Sequence, residues 1–267
     1  WAEMDRNRQA PEWLSWAQKL PHELIDARPG LGAGLAWASL DTGDMEAAAT
    51  WLHSAERAMA TVANPIVADH EEFRYLPGNI ASARCYHALA LGDMSATINY
   101  ARQALDLFPP EAHLRRGTPA ALLGLASWAS GDLDAAIRAF SEAMTDYQKA
   151  GNILFVITGA YVLADIKVAQ GRLREARTIY DESIQLAEES GEPVLRGAAD
   201  LYTGLCALSL EHNDLNAAQE YLQRSKELGE SAALPRWSYR WYLAQAEISM
   251  AEGNLTVALA ALDEAER

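Results

Sequence analysis

Gly131-Asp132-Leu133-Asp134-Ala135-Ala136 decides the fold, because it recurs along the chain. Gly43-Asp44-Met45-Glu46-Ala47-Ala48 and Gly92-Asp93-Met94-Ser95-Ala96-Thr97 precede it. Gly171-Arg172-Leu173-Arg174-Glu175-Ala176, Asn213-Asp214-Leu215-Asn216-Ala217-Ala218 and Gly253-Asn254-Leu255-Thr256-Val257-Ala258 follow. The anchors at 43, 92, 131, 171, 213 and 253 lie 49, 39, 40, 42 and 40 residues apart. A period near 40 with a fixed internal pattern marks an array of helical repeats, each burying its apolar face on the next.

Each anchor has a simple chemistry. Gly, or Asn in the fifth copy, tolerates a left-handed backbone and so ends one helix. Asp or Asn immediately after it can cap the next helix. The following apolar residue (Met45, Met94, Leu133, Leu173, Leu215 or Leu255) is expected to fold back onto the core. Five residues after each anchor stands a small side chain, Ala48, Thr97, Ala136, Ala176, Ala218 or Ala258, which lets two helices approach closely. Each unit is therefore a helical hairpin, and six of them stack.

Composition agrees. The chain has 267 residues, 50% of them apolar, enough for a large core. Ala abounds, and Pro and Gly fall between periodic runs, so about three-quarters helix and no sheet are expected, well above the usual share. No apolar run approaches the ~18 residues of a membrane span, and no signal-peptide pattern opens the chain. The net charge of −15 repels phosphate backbones, so direct nucleic-acid contact by this segment is not expected. Cys85 and Cys206 both fall seven residues before an anchor. They read as buried reduced thiols, which fits a cytoplasmic protein. The start at Trp1 and the end at Arg267, inside a hairpin's second helix, suggest a fragment of a longer protein.

Along the chain, residues 1–28 form a leader that reads as the back half of a preceding hairpin. Trp13, Leu14, Ala17 and Leu20 share a helix face there, and Pro21 stops it. Residues 29–267 form one continuous repeat domain. The first anchor spacing carries about nine surplus residues, placed between Asn64-Pro65 and Leu76-Pro77-Gly78. Asp69-His70-Glu71-Glu72 is expected to start or cap a helix, and Pro77-Gly78 to kink or break it. Repeat two is then expected from about Asn79, and repeat three from near Gly117-Thr118-Pro119. Gly151-Asn152 and Ser190-Gly191-Glu192-Pro193 read as turns between hairpins.

The spacing Leu123-Gly124, Gly131-Asp132, Ala136, Phe140 and Ala143 resembles the tetratricopeptide repeat, with longer helices than its basic motif. A narrower resemblance lies on Trp13-Leu14, Leu20-Pro21, Glu23-Leu24, Arg28-Pro29, Ala36-Trp37 and Gly43 to Ala48. It continues through Ala81-Ser82-Ala83-Arg84 to Gly92-Asp93, Ala101 to Leu105, Pro109 to Gly117, Ala150-Gly151-Asn152 and Ala169 to Ala176. These stretches are similar to the helical-repeat region of MalT-like regulators, large ATP-dependent transcription activators of the LuxR type. The resemblance implies an all-α fold of tandem tetratricopeptide-like hairpins in a right-handed superhelix. It implies a sensor that binds a small-molecule inducer or a regulatory protein. In such regulators, binding promotes self-association and promoter binding by other modules. No Gly-x-x-x-x-Gly-Lys-Ser/Thr loop occurs, so ATP is expected in a separate upstream module and no cofactor in this segment. The alternative is a tetratricopeptide scaffold for protein–protein interaction with no role in transcription.

The resemblance also places the candidate groove on the first helices, at positions thirteen, ten, six and three before each anchor. Trp37, Tyr86, Trp128 and Tyr161 there could stack on a ligand. Asp165, Asp200, Arg240 and Glu247 could hydrogen-bond it, since aromatic walls with a few convergent polar groups make such pockets. The plainer reading is that the aromatics seal adjacent hairpins. Arg236-Trp237-Ser238-Tyr239-Arg240-Trp241-Tyr242 could dock a peptide, but Trp237, Trp241 and Tyr242 more simply pack between repeats five and six. Gly30-Leu31-Gly32-Ala33-Gly34 lacks the dinucleotide spacing and a preceding strand, and reads as close helix packing. The histidines are scattered, with no i,i+4 pair for a metal. Asp69-His70-Glu71-Glu72 reads as a solvated helix start before a cation site, and Asn254-Leu255-Thr256 as a cap before a glycosylation sequon. No nucleophile–base arrangement appears, so an enzyme is not expected.

Overall fold

The structure is a computed structural model that describes residues 10–17, 19–61, 66, 69–191, 195–234 and 236–267. The expected surplus segment at Asn64-Pro65 and the turn residues Glu192-Pro193 lie outside the described residues, as does Trp1. Among the described residues every regular element is helical. Two short helices come first, α1 (Ala10–Ala17) and α2 (His22–Asp26). Hairpins follow: α3 (Pro29–Asp41) with α4 (Met45–Thr61), α5 (His70–Ala90) with α6 (Met94–Leu107), and α7 (His113–Ala129) with α8 (Leu133–Lys149). Then come α9 (Ile153–Ala169) with α10 (Leu173–Glu189), α11 (Ala198–Glu211) with α12 (Leu215–Leu228), and α13 (Trp237–Ala251) with α14 (Leu255–Ala265). One 3-10 turn, Glu230–Ala232, precedes α13. These are the tandem hairpins that the period predicts.

The six anchors do what their chemistry allows. Their φ values are +81° at Gly43, +78° at Gly92, +81° at Gly131, +72° at Gly171, +79° at Gly253 and +56° at Asn213. Asn213 is one of two described non-glycine residues with positive φ, which suits a short polar side chain. The caps follow at once. Asp44, Asp93 and Asp132 each accept the amide three residues on, at 2.9 Å. Asp214 does so at 3.0 Å and Asn254 at 3.3 Å. Arg172 offers no such oxygen, and α10 begins without a side-chain cap. Every small residue five positions after an anchor is buried.

The chain divides into two compact units, one ending at Ala139 and one beginning at Phe140. In the first unit Ala33, Ala36, Leu40, Ala48, Leu52, Ala55, Leu76, Ile80 and Ala83 form the main buried cluster. Gly32 brings α3 against Ala55 of α4, where an added Cβ would meet the Ala55 Cβ at 3.4 Å, so within the Gly30–Gly34 run it is Gly32 that serves close helix packing, while Gly30 faces open space. Cys85 is buried, free, and donates to the Thr97 carbonyl. In the second unit Ile157, Ala164, Tyr180, Leu201, Leu205 and Leu208 are central. Cys206, also free and buried, packs on Leu222 and Ile248. Burial pushes both thiols up to about 12, so neither is reactive near neutral pH.

Four local expectations are corrected. Pro77-Gly78 does not break a helix, since α5 runs unbroken from His70 to Ala90 with Pro77 inside it. Asp69 caps its start through the Glu72 amide at 3.2 Å. The proline removes one amide bond, but Leu76 and Ile80 are buried in the core and Gly78 lies under the Phe108 ring, and that packing outweighs the lost bond. Repeat three likewise starts at His113, with Pro119 buried inside α7. Arg116 Nη1 anchors the turn before it by donating to the Leu105 and Phe108 carbonyls, at 2.9 and 3.2 Å. Leu20 lies beyond the end of α1 and is 37% exposed, so it does not share the buried face of Ala17. Leu255, at 65% exposure, does not fold back as its counterparts Met45 and Leu173 do.

Candidate functional site

Within each unit, residues at the same count before successive anchors meet, because the first helices there pack on one another in phase. Trp37 and Tyr86, both six before an anchor, bring their rings to 6.1 Å between centroids. Both pack against the first unit's core, so they seal α3 to α5. Trp128, three before its anchor, joins Leu89 at the same count, with Leu125 and Ala129, in a shallow open depression of about 380 Å³ lined almost wholly by carbon. These three of the eight candidates belong to the first unit.

The second unit assembles four others into one cluster on α9, α11 and α13. Asp200 and Arg240, both thirteen before an anchor, form an ion pair. Arg240 Nε donates to Asp200 Oδ1 at 2.9 Å and Nη2 donates to the same oxygen. Asp200 Oδ2 accepts the Leu234 amide at 2.7 Å, and the Asp200 side chain is 0% exposed against 24% for Arg240. The Arg240 guanidinium lies 5.6 Å from the centroid of the Tyr161 ring, within cation–π reach. One turn on along α9, half-buried Asp165 accepts the Tyr180 hydroxyl at 2.7 Å, and the Tyr161 hydroxyl acts on the same carboxyl. Glu247 stands apart, exposed on α13.

The electrostatics follow from burial and these partners. Burial holds the Asp165 carboxyl above the usual carboxylate range. The hydroxyls of Tyr180 and Tyr161 and the charge of Arg240 oppose that, while the Asp200 charge adds to it. Burial also raises Asp200, against the Leu234 amide and Arg240. The phenols of Tyr161 and Tyr180 are raised, first by burial and next by the Asp165 charge, so both remain donors at neutral pH.

Tyr180 was not among the sequence candidates. It stands nine residues after its anchor on a second helix, where the other repeats carry Leu52, Ala101, Phe140, Leu222 and Leu262. The signal was there: only this copy puts a hydroxyl at a core position, and Gly204 on α11 leaves room for it. An added Cβ on Gly204 would come within 2.5 Å of the Tyr180 hydroxyl. In the aromatic run at 236–242, Trp237 and Trp241 pack onto repeat five as the plainer reading expects, while Tyr242 lies against its neighbour Trp241. Trp237 Nε1 donates to Ser225 Oγ at 2.9 Å, Trp241 Nε1 donates to the Leu222 carbonyl at 3.1 Å, and Tyr242 meets Trp241 edge-on at 5.2 Å. Among the described residues no group of three or more His, Cys, Asp or Glu is placed to hold a metal ion, and no helix is long and apolar enough to cross a membrane.

In-phase first helices, left-handed anchors and capped second helices define a tetratricopeptide-type helical-repeat protein. More narrowly, the chain belongs to the MalT-like TPR region family, whose model matches residues 78–267. No curated protein sequence matches it. Solved structures share the fold at low identity. NprR in complex with its cognate peptide NprX is similar at TM-score 0.66 and 13% identity, over 98% of this chain and 78% of that one. A Rap protein complexed with Competence and Sporulation Factor is similar at TM-score 0.66 and 16% identity, over 97% and 68%. BtubC (BKLC) from P. vanneervenii is similar at TM-score 0.65 and 14% identity, over 84% and 89%.

Proposed function

We propose that this chain is the signal-sensing repeat domain of a MalT-like, ATP-dependent transcription activator of the LuxR type, working in the cytoplasm. An inducer or a regulatory protein binds on its first helices. Other modules, which hold ATP and read DNA, convert that binding into self-association and promoter binding. The family supports the first part of this reading. The observation that carries the sensing part is the cluster of Tyr161, Asp165, Asp200 and Arg240. Polar groups taken from water lower stability unless they are well paired, and the first helices of three successive hairpins here converge them beside an aromatic ring.

A peptide is the ligand class that the neighbours favour, since NprR has been solved with one. A scaffold that only joins proteins is the second reading, favoured by the open carbon-lined depression at Leu89, Leu125 and Trp128. Thermal unfolding against sugars, metabolites and short peptides separates the two. A ligand at ~100 times its Kd stabilises the native state by ~2.7 kcal/mol. The sensing reading expects a shift that Tyr161→Ala abolishes and Trp128→Ala does not. A shift lost only with Trp128→Ala would sink the cluster as the site. A reporter driven by the full-length regulator then tests the transcriptional role, which fails if the ligand leaves transcription unchanged.

A further inference from the structure

The cluster contains two carboxylates and one guanidinium, and the pairing is unequal. Asp200 is fully engaged: Arg240 takes Oδ1 with two donors and the Leu234 amide takes Oδ2. Asp165 receives only neutral donors, the hydroxyls of Tyr180 and Tyr161. No cation among the described residues forms an ion pair with it. Lys167, the nearest basic residue along α9, turns its Nζ to Glu175 at 3.1 Å. With both carboxyls ionised, the cluster therefore carries one formal negative charge in excess, on a residue that is half-buried. The site also displays how it treats a cation. It holds the Arg240 guanidinium over the Tyr161 ring with a carboxylate at its edge, the pairing in which Arg is most specific.

We propose that Asp165, framed by Tyr161 and Tyr180, receives the cationic group of a peptide ligand, a guanidinium or a primary ammonium. The carboxylate supplies the charge. The two tyrosine hydroxyls fix its orientation before the ligand arrives, which lowers the ordering cost of binding. The chain's net charge of −15 draws such ligands in, an effect that salt weakens. The inference rests on reading this cluster as the sensing site.

The test uses pentapeptides with blocked ends, Ala-Ala-Arg-Ala-Ala and its Lys and Gln counterparts, with unblocked penta-alanine to present a terminal ammonium. Binding is followed by calorimetry and by NMR shifts of α9, α11 and α13. The Arg peptide, the Lys peptide or penta-alanine should bind at least ~10-fold more tightly than the Gln peptide, and the tightest names the source of the cation. Asp165→Asn keeps an oxygen for both tyrosines and leaves the Asp200–Arg240 pair intact, so it should fold and lose that preference. Raising salt should weaken binding to the wild-type chain in parallel, a readout that needs no variant. Equal binding of the Gln peptide, binding undiminished in Asp165→Asn, or no binding of any peptide at millimolar concentration overturns the proposal. A neutral or anionic ligand that binds through Arg240 and ignores Asp165→Asn overturns it while leaving the sensing reading intact.

Discussion

At the residue scale, Gly204 joins the packing of the second unit to its polar cluster. A helical Gly→Ala change ordinarily gains about 0.5–1 kcal/mol. Here the new methyl would meet the Tyr180 hydroxyl at 2.5 Å and its Cε1 at 2.6 Å, and Tyr180 is fully buried. Overpacking of that kind costs about 1–3 kcal/mol, so Gly204→Ala should lower the denaturation midpoint and detach Tyr180 from Asp165. An unchanged midpoint would mean that the ring has somewhere to go. Asp165 gives a prediction with a sign in pH. Burial raises its carboxyl in the folded state, so the folded chain binds the proton more tightly than the unfolded chain. The resulting stability is fully present below the ordinary aspartate value of about 3.9 and is lost as pH rises through the raised folded value. Melting curves of wild type and Asp165→Asn should therefore diverge in favour of the variant as pH rises from ~4 to ~7. Parallel curves would show that the carboxylate is well solvated.

At the element scale, caps are worth more than their exposure suggests. Asp132→Ala removes the acceptor for the Ala135 amide and should cost about 1 kcal/mol. Arg172→Asn supplies the cap that α10 lacks. It should raise stability slightly, since the exposed pair with Glu175 that it gives up contributes little. Chemical denaturation of both variants checks the pair, and opposite signs are expected. The hairpins were legible because anchor, cap and small residue are each dictated by local stereochemistry. Pro77 and Pro119 were misread for the complementary reason. A proline's missing amide is visible in sequence, while the burial of Leu76, Ile80 and Pro119 that offsets it is a property of neighbours far along the chain. The cluster was legible in the same uneven way. Counting back from the anchors found Tyr161, Asp165, Asp200 and Arg240, because phase is regular. It could not tell that Trp37 and Tyr86 pack on each other and on the core, nor that Tyr180 reaches the cluster from a second helix.

At the scale of the whole molecule, stability in repeat arrays is a sum of local terms and nearest-neighbour terms. A defect in one unit should stay there. Hydrogen exchange on Gly204→Ala should show lost protection in α9 to α13 and wild-type protection in α3 to α6. Loss spread evenly over both sets would contradict two separately cohesive units. The acidic balance acts on this scale too. It favours cationic partners and opposes direct contact with phosphate backbones.

Helix α5 has 21 residues where α3 has 13, so it is longer by about 12 Å at 1.5 Å per residue. The added length lies entirely upstream, and the stretch from Ser82 to Gly92 keeps the same rotation about its axis as its counterparts. A repeat of this kind reads its ruler backwards from the turn. Growth at the far end of a first helix is silent, whereas one residue inserted between Cys85 and Gly92 would turn everything before it by about 100°, carrying Ser82 and Cys85 out of the core together.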